Sequence, residues 1–377
     1  MTSMCTLWNL QGSLFIFTVS PTSAMPTAKH LLKRLVVFPL IILTSQLLHI
    51  AKQIILNILD VLRQKKQAGV VRTPAERFQG LEAVGYAFKA NYVELPIGGG
   101  KTLPRVHYID EGPSDAKETL LCLHGEPSWS FLYRHMIPVF TKEGYRVIAP
   151  DFIGFGKSDK FTYPDAYSHD LHRMTVRLLL DYLGVSNVTL VCQDWGGLTG
   201  LSVVKDSPHF FSRIVVMNTG LPAGTQLSLS TIDKVTPFLL WRGFAQLLGT
   251  ALPVYHIFKK ALRNVHPTVL DGYNAPFPSS EYKAGAAKWP LLVPLTSNTP
   301  VAVDMQETRD FLSQKWKSPF LIMFSDRDPI TRGQDKTFLK LQPHATCKTV
   351  HGAGHFLQED KGEEIASHIV SFINGKL

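Results

Sequence analysis

Val188-Thr-Leu-Val-Cys-Gln-Asp194-Trp-Gly-Gly197 decides the reading of this chain. An apolar, β-branched run passes without a linker into a glycine-containing turn, the pattern of a strand handing directly over to a helix. So tight a turn crowds the backbone two residues before and two residues after its apex, and small residues belong there. Cys192 and Gly196 occupy those places. The apex itself is Asp194. An aspartate is ordinarily ionised at neutral pH and needs no base to act as a nucleophile. It can displace a leaving group from saturated carbon and become an alkyl ester. Alone, an aspartate at this place would read as a helix N-cap; its partners along the chain decide otherwise.

Water must then cleave the ester, and water is a poor nucleophile without a general base, so a histidine oriented by an acid is required. Both follow in the order nucleophile, acid, histidine. Asp328 lies in Ser325-Asp-Arg-Asp328-Pro-Ile330, after the apolar run Phe320–Phe324, with Asp326 as a competitor two positions earlier. His355 lies in Gly352-Ala-Gly-His355-Phe356, after the run Cys347–Val350, with His351 and His344 as weaker alternatives. Charge that develops on oxygen during ester cleavage needs fixed donors. Leu121-Cys-Leu-His124-Gly-Glu-Pro127 supplies one, because its turn can aim the Glu126 backbone N–H at the elbow beside that of Trp195. Asp151-Phe-Ile-Gly-Phe-Gly156 reads as a supporting turn at the same edge, without chemistry of its own.

Farther out, Arg105–Asp110, Thr119–Leu123, Arg146–Ala149, Val188–Cys192, Ile214–Met217, Phe320–Phe324 and Cys347–Val350 are β-like runs that alternate with helical patterns. This is the signature of an α/β fold with a mostly parallel sheet flanked by helices. Each run ends in a residue that hands over to a loop, and ligands of such sheets bind at those ends. From residue 221 to 300 the alternation stops and aromatic, proline-containing segments replace it, predicting a helical cap inserted into a catalytic unit that spans 71–377.

Of the formal charge of +9, residues 1–74 carry +7, eight Lys and Arg against Asp60 alone, which leaves +2 for everything after them. A nearly neutral body argues against nucleic acid as a partner. In the extension 1–70, basic residues flank the apolar stretch Leu35–Ala51, so residues 29–66 read as a membrane anchor, interfacial or signal-like helix, with a soluble amphipathic leader as the alternative, on a protein otherwise expected in the cytoplasm. The stretch holds 17 residues, with Pro39, Gln46 and His49 among them, where a full span takes about 20. Cys5, Cys122, Cys192 and Cys347 have no metal-ligand spacing and read as buried free thiols. No metal and no cofactor is expected.

His124-Gly-Glu-Pro-Ser-Trp-Ser130, Asp151-Phe-Ile-Gly-Phe-Gly-Lys-Ser158 and Gln193-Asp-Trp-Gly-Gly197 resemble haloalkane dehalogenases of the α/β-hydrolase fold. Phe238-Leu-Leu-Trp-Arg242 and Ala275-Pro-Phe-Pro278 carry the likeness into the cap, and it runs from about Arg72 to Ile373. The resemblance implies that two indole N–H groups, at positions matched by Trp195 and Trp241, hold the departing halide. It also implies a small apolar halogenated substrate, with water as co-substrate and Glu126 helping to position it. An indole N–H is a donor only and can stabilise an anion without adding a charge. Trp8, Trp129, Trp289 and Trp316 read as structural. Two other readings stay open. An epoxide hydrolase would share the aspartate and use cap tyrosines, here Tyr255, Tyr273 and Tyr282. A membrane-tethered binding protein that had lost catalysis would carry a damaged position, and none is visible.

Overall fold

The structure is a computed structural model. It describes residues 69–224, 232–262 and 265–377, together with two short N-terminal strands, Met4–Trp8 and Leu14–Thr18, paired antiparallel. The proposed anchor at 29–66 lies outside the described residues. Among the described residues no helix is long and apolar enough to cross a membrane.

Eight strands form the central sheet: β1 (Asn91–Val93), β2 (Val106–Glu111), β3 (Thr119–Leu123), β4 (Arg146–Pro150), β5 (Val188–Gln193), β6 (Phe211–Met217), β7 (Phe320–Ser325) and β8 (Thr346–Val350). Their order across the sheet is β8-β7-β6-β5-β3-β4-β2-β1. From β4 to β8 neighbouring strands run parallel, while β2 runs against both β4 and β1. Every residue of β3 and β5 is buried, as uninterrupted apolar runs require when both faces of a parallel sheet are covered. The edge strand β8 instead alternates exposed and half-buried positions before a buried Val350. Its Cys347 is therefore exposed, a correction to the expectation of a buried thiol; Cys122 and Cys192 are buried as expected. β1 was missed in the sequence because three residues with a polar start give no periodicity.

The helices outside the segment expected to form a cap are α1 (Ile137–Lys142), α2 (His169–Leu183), α3 (Trp195–Asp206), α8 (Pro300–Gln314), α9 (Gln334–Leu341) and α10 (Leu357–Ile373). α3 packs on β5 between α2 and α8, while α1 packs against α10. Between β6 and α8 lie α4 (Ile232–Leu248), α5 (Val254–Ala261), α6 (Pro267–Asn274) and α7 (Ala284–Leu292). α4 packs on α7 and α5 on α6. Aromatic contacts bind this group to the loops at the sheet's carboxyl ends: Trp289 stacks on Trp195 at 5.3 Å between ring centres, and Phe258 meets Phe356 at 4.9 Å. A buried clamp adds to them. Arg134 pairs with both oxygens of Glu359 at 2.6 Å, and the Tyr273 hydroxyl of α6 donates to the same carboxylate at 2.6 Å.

Candidate active site

The strand β5 ends at Gln193 and α3 begins at Trp195, so Asp194 alone makes the turn, at φ 52° and ψ −123°. A non-glycine residue in that region is strained and persists only where its surroundings over-determine it. Those surroundings are explicit. The Asp194 N–H donates to Asn218 O at 3.1 Å, and its carbonyl accepts from the Thr219 hydroxyl at 2.7 Å. A Cβ at Gly196 would lie 2.1 Å from Leu123 O, which explains the small residue required there.

The Asp194 carboxylate is pinned on one side and open to the histidine on the other. Oδ1 accepts from the Glu126 backbone N–H at 2.9 Å, and Oδ2 lies 3.5 Å from His355 Nε2. The other nitrogen of His355, Nδ1, lies 3.1 Å from Asp328 Oδ2. Asp328 is itself held by the N–H groups of Ile330 and Thr331 and by the Thr331 hydroxyl. Burial lowers the basicity of His355, but the charges and hydrogen bonds of Asp328 and Asp194 outweigh it, and the imidazole is pushed up to about 10. Burial raises the Asp328 carboxyl, and His355 with the loop donors brings it below the ordinary carboxylate value.

The competitors named from the sequence fall elsewhere. Asp326 pairs with His351, 3.2 Å from its Nδ1, and accepts from the Gly352 N–H on the outside of the molecule. His344 is exposed in the turn before β8 and joins neither pair. Asp151 staples two loops, accepting from the N–H groups of Ser130 and Lys157 at 2.7 and 2.8 Å and meeting His107 Nδ1 at 2.7 Å.

Glu126 is buried, and its Oε1 has no protein partner. Burial first, then the charge of Asp194, push its carboxyl well above the usual range, with His355 pulling the other way. Trp195 is buried at the start of α3, and no described residue accepts from its indole N–H. The Trp289 indole, by contrast, donates to His172 Nε2. Trp241 sits half-buried on α4 with Phe244 as its ring neighbour at 6.0 Å, and among the described residues no ring contact joins it to Trp195. Of the three cap tyrosines, Tyr273 spends its hydroxyl on Glu359. Among the described residues no group of His, Cys, Asp or Glu converges as a metal site would require.

Sequence reasoning passed over three residues of this site. Asn218, at φ 33°, donates to Ser325 Oγ and to the carbonyls of Gly354 and His355, tying the end of β6 to the histidine loop. Gln193 contacts His355 directly. Trp289 contributes a face to Trp195 as well as filling the core. The available signal was position: Gln193 and Asn218 both stand at carboxyl ends of parallel strands.

A carboxylate on a strained elbow beside a histidine–aspartate pair, with a backbone donor on one carboxylate oxygen, has the parts that displacement followed by ester hydrolysis would need. The profile of the alpha/beta hydrolase fold matches residues 118–362. The haloalkane dehalogenase of Psychrobacter cryohalolentis is 42% identical over 312 residues, 81% of this chain and 98% of that protein. That of Mycobacterium marinum is 42% identical over 310 residues, 80% of this chain and 99% of that protein. Among solved structures, the tetrameric haloalkane dehalogenase DpaA from Paraglaciecola agarilytica NO2 aligns with a TM-score of 0.72 at 35% identity, over 80% of this chain and 97% of that one. At 42% identity over nearly the whole length of these relatives, the chain belongs to the haloalkane dehalogenase family of α/β hydrolases.

Proposed function

We propose that the protein hydrolyses haloalkanes to an alcohol, a halide and a proton through an alkyl ester on Asp194. The observation that carries this reading is His355 placed between two carboxylates, 3.5 Å from Asp194 and 3.1 Å from Asp328. In the first step Asp194 Oδ2 attacks the halogen-bearing carbon; the C–O bond forms as the C–halogen bond breaks, and the electron pair leaves with the halide. Trp195 and Trp241 receive that anion through indole N–H groups. In the second step water adds to Cγ of the ester while His355 Nε2 takes its proton, with Asp328 stabilising the imidazolium. The charge growing on Oδ1 is met by the Glu126 N–H already directed at it. Collapse expels the alcohol, which takes a proton from His355, and one proton leaves to solvent as Asp194 returns to its carboxylate. The Glu126 side chain, its carboxyl pushed well above the usual range by burial and by the charge of Asp194 and its Oε1 without a protein partner, is the group assigned to position that water.

The two steps place opposite demands on His355. While Asp194 is ionised it favours an imidazolium; once Asp194 is esterified that charge is gone, and the imidazolium can lose its Nε2 proton to solvent and serve, as neutral imidazole, as base.

The deciding experiment measures halide and proton release from 1,2-dibromoethane, and diol from a styrene-type epoxide, with wild type and Asp194→Asn. Halide without diol, abolished in the variant, is expected. Diol formation would favour the epoxide reading, from which the Tyr273 hydroxyl is already diverted. Residues 71–377 we take as the catalytic unit, 221–300 as its cap, and 29–66 as a membrane-associating segment. Removing residues 1–70 should therefore leave halide release intact and abolish sedimentation with anionic vesicles; equal sedimentation of both forms would discard the membrane role.

A further inference from the structure

Gln193 is the last residue of β5, completely buried and adjacent to Asp194. Its side-chain nitrogen lies 3.2 Å from His355 O and 3.2 Å from His355 Nε2. A backbone carbonyl can only accept, so the first contact fixes which corner of the amide carries nitrogen. The alternative orientation would set two acceptor oxygens against each other. The orientation that results leaves Gln193 Oε1 buried without a protein partner, so the amide is turned toward His355 although its own oxygen goes unpaired.

An amide nitrogen has hydrogens and no available lone pair. The second contact is therefore a hydrogen bond only when His355 Nε2 carries no proton. The same Nε2 faces Asp194 Oδ2 at 3.5 Å, and toward a carboxylate it must donate. One nitrogen cannot do both. His355 thus has two exclusive bonding states: an imidazolium donating to ionised Asp194, and a neutral imidazole that keeps its proton on Nδ1 toward Asp328 and accepts from Gln193.

We propose that Gln193 is a positioning residue that selects the second state once Asp194 has become an ester, holding His355 as the free base that ester hydrolysis needs. The proposal rests on the reading of Asp194 as nucleophile and His355 as base. The ionisable groups facing His355 are Asp194 from the elbow, Asp328 from the loop after β7 and Glu126 from the loop after β3. Esterification silences the first, Asp328 favours the imidazolium throughout, and burial with the charge of Asp194 pushes the Glu126 carboxyl well above its usual range. Gln193 is the neighbour whose bond is gained only on deprotonation.

Two variants test this: Gln193→Met, close in size without a donor, and Gln193→Glu, which keeps the shape but offers an acceptor. Rapid-mixing kinetics with 1,2-dibromoethane separate the halide burst, which reports alkylation, from ester hydrolysis. In Gln193→Met the burst should stay within about twofold of wild type while hydrolysis slows by about 5–10-fold, the worth of one hydrogen bond. Its acid limb should move to higher pH, because the neutral imidazole is less favoured, and Gln193→Glu should move it farther. If Gln193→Met does not fold, as judged by its thermal transition, the shift in Gln193→Glu decides. Slowing of burst and hydrolysis together, with the acid limb unmoved, would reduce Gln193 to packing and overturn the proposal. If His355→Gln neither releases halide nor gains alkyl mass on Asp194, the nucleophile reading falls and this inference with it, whereas an adduct there with unshifted Gln193 variants overturns the inference alone.

Discussion

Two Asp–His pairs join the same two loops, four residues apart on one and two on the other, and only one of them reaches Asp194. Asp328–His355 and Asp326–His351 have nearly equal separations, 3.1 and 3.2 Å. Their surroundings differ. The side chains of His355 and Asp328 are 12% and 2% exposed, whereas those of His351 and Asp326 are 81% and 35% exposed. Water screens the outer pair and competes for each of its hydrogen bonds. The inner pair is desolvated, its acid is fixed by loop donors, and its histidine reaches a third group, Asp194. A histidine–aspartate pair can thus form on the surface as well; burial and a third partner set the inner one apart, and on these the proposed role of His355 as base rests.

The contrast is broken most severely at the third partner. Asp194→Asn should lower halide release by at least about 10⁴-fold, since triad members act as a unit. His355→Gln should instead release one halide per enzyme and stop, leaving a covalent adduct of alkyl mass on Asp194. An unmodified mass after exposure to substrate would refute the assignment of His355.

Next comes the inner acid. Asp328→Asn should cost about 10³–10⁴-fold in turnover, as loss of an orienting aspartate does elsewhere. It also carries a pH signature. Despite burial, Asp328 and Asp194 raise His355 to about 10, above the ordinary histidine value. A raised group stabilises the fold fully below its unfolded pKa, about 6.5, and loses that contribution as pH rises through the folded value. The wild-type melting temperature should therefore decline between neutral pH and pH 10, and that decline should flatten in Asp328→Asn. Parallel curves would place the titration in another group.

Smaller effects are expected at the anion end. Trp195→Phe or Trp241→Phe should weaken inhibition by bromide by about 10–100-fold each, the worth of a hydrogen bond to a charged group. No change for Trp241→Phe would remove the cap indole from the halide site. The smallest effect belongs to the outer pair: Asp326→Asn and His351→Gln should change kcat/KM by less than about twofold, as exposed ion pairs do. A tenfold loss there would erase the distinction between the pairs.

Much of this was legible in the chain. The strand β5 running into Asp194-Trp-Gly has one reading, because an apolar run and a small-residue turn are local facts. Seven of the eight sheet strands likewise announce themselves by apolar runs with loop-forming ends, while the eighth, Asn91–Val93, is too short to do so. The exposure of Cys347 is not legible in the sequence because burial at a sheet edge alternates, and a sequence run does not tell an edge strand from a central one. The pairing of Asp328 rather than Asp326 was visible only as a preference, since both precede the same loop.

The sequence by itself determined the chemistry on offer: an aspartate at an elbow, a later acid, a still later histidine, and indoles at two places. Residue identity, strand periodicity and turn composition depend on neighbours within a few positions, so those features survive without a fold. The tertiary structure alone decided which acid meets which histidine, that Tyr273 spends its hydroxyl on Glu359, that Asn218 anchors the histidine loop, and that Gln193 and Asp194 make competing claims on one imidazole nitrogen. These are matters of distance and desolvation between segments 25 to 162 residues apart, and the competition for a hydrogen bond exists only once folding has brought the competitors within reach.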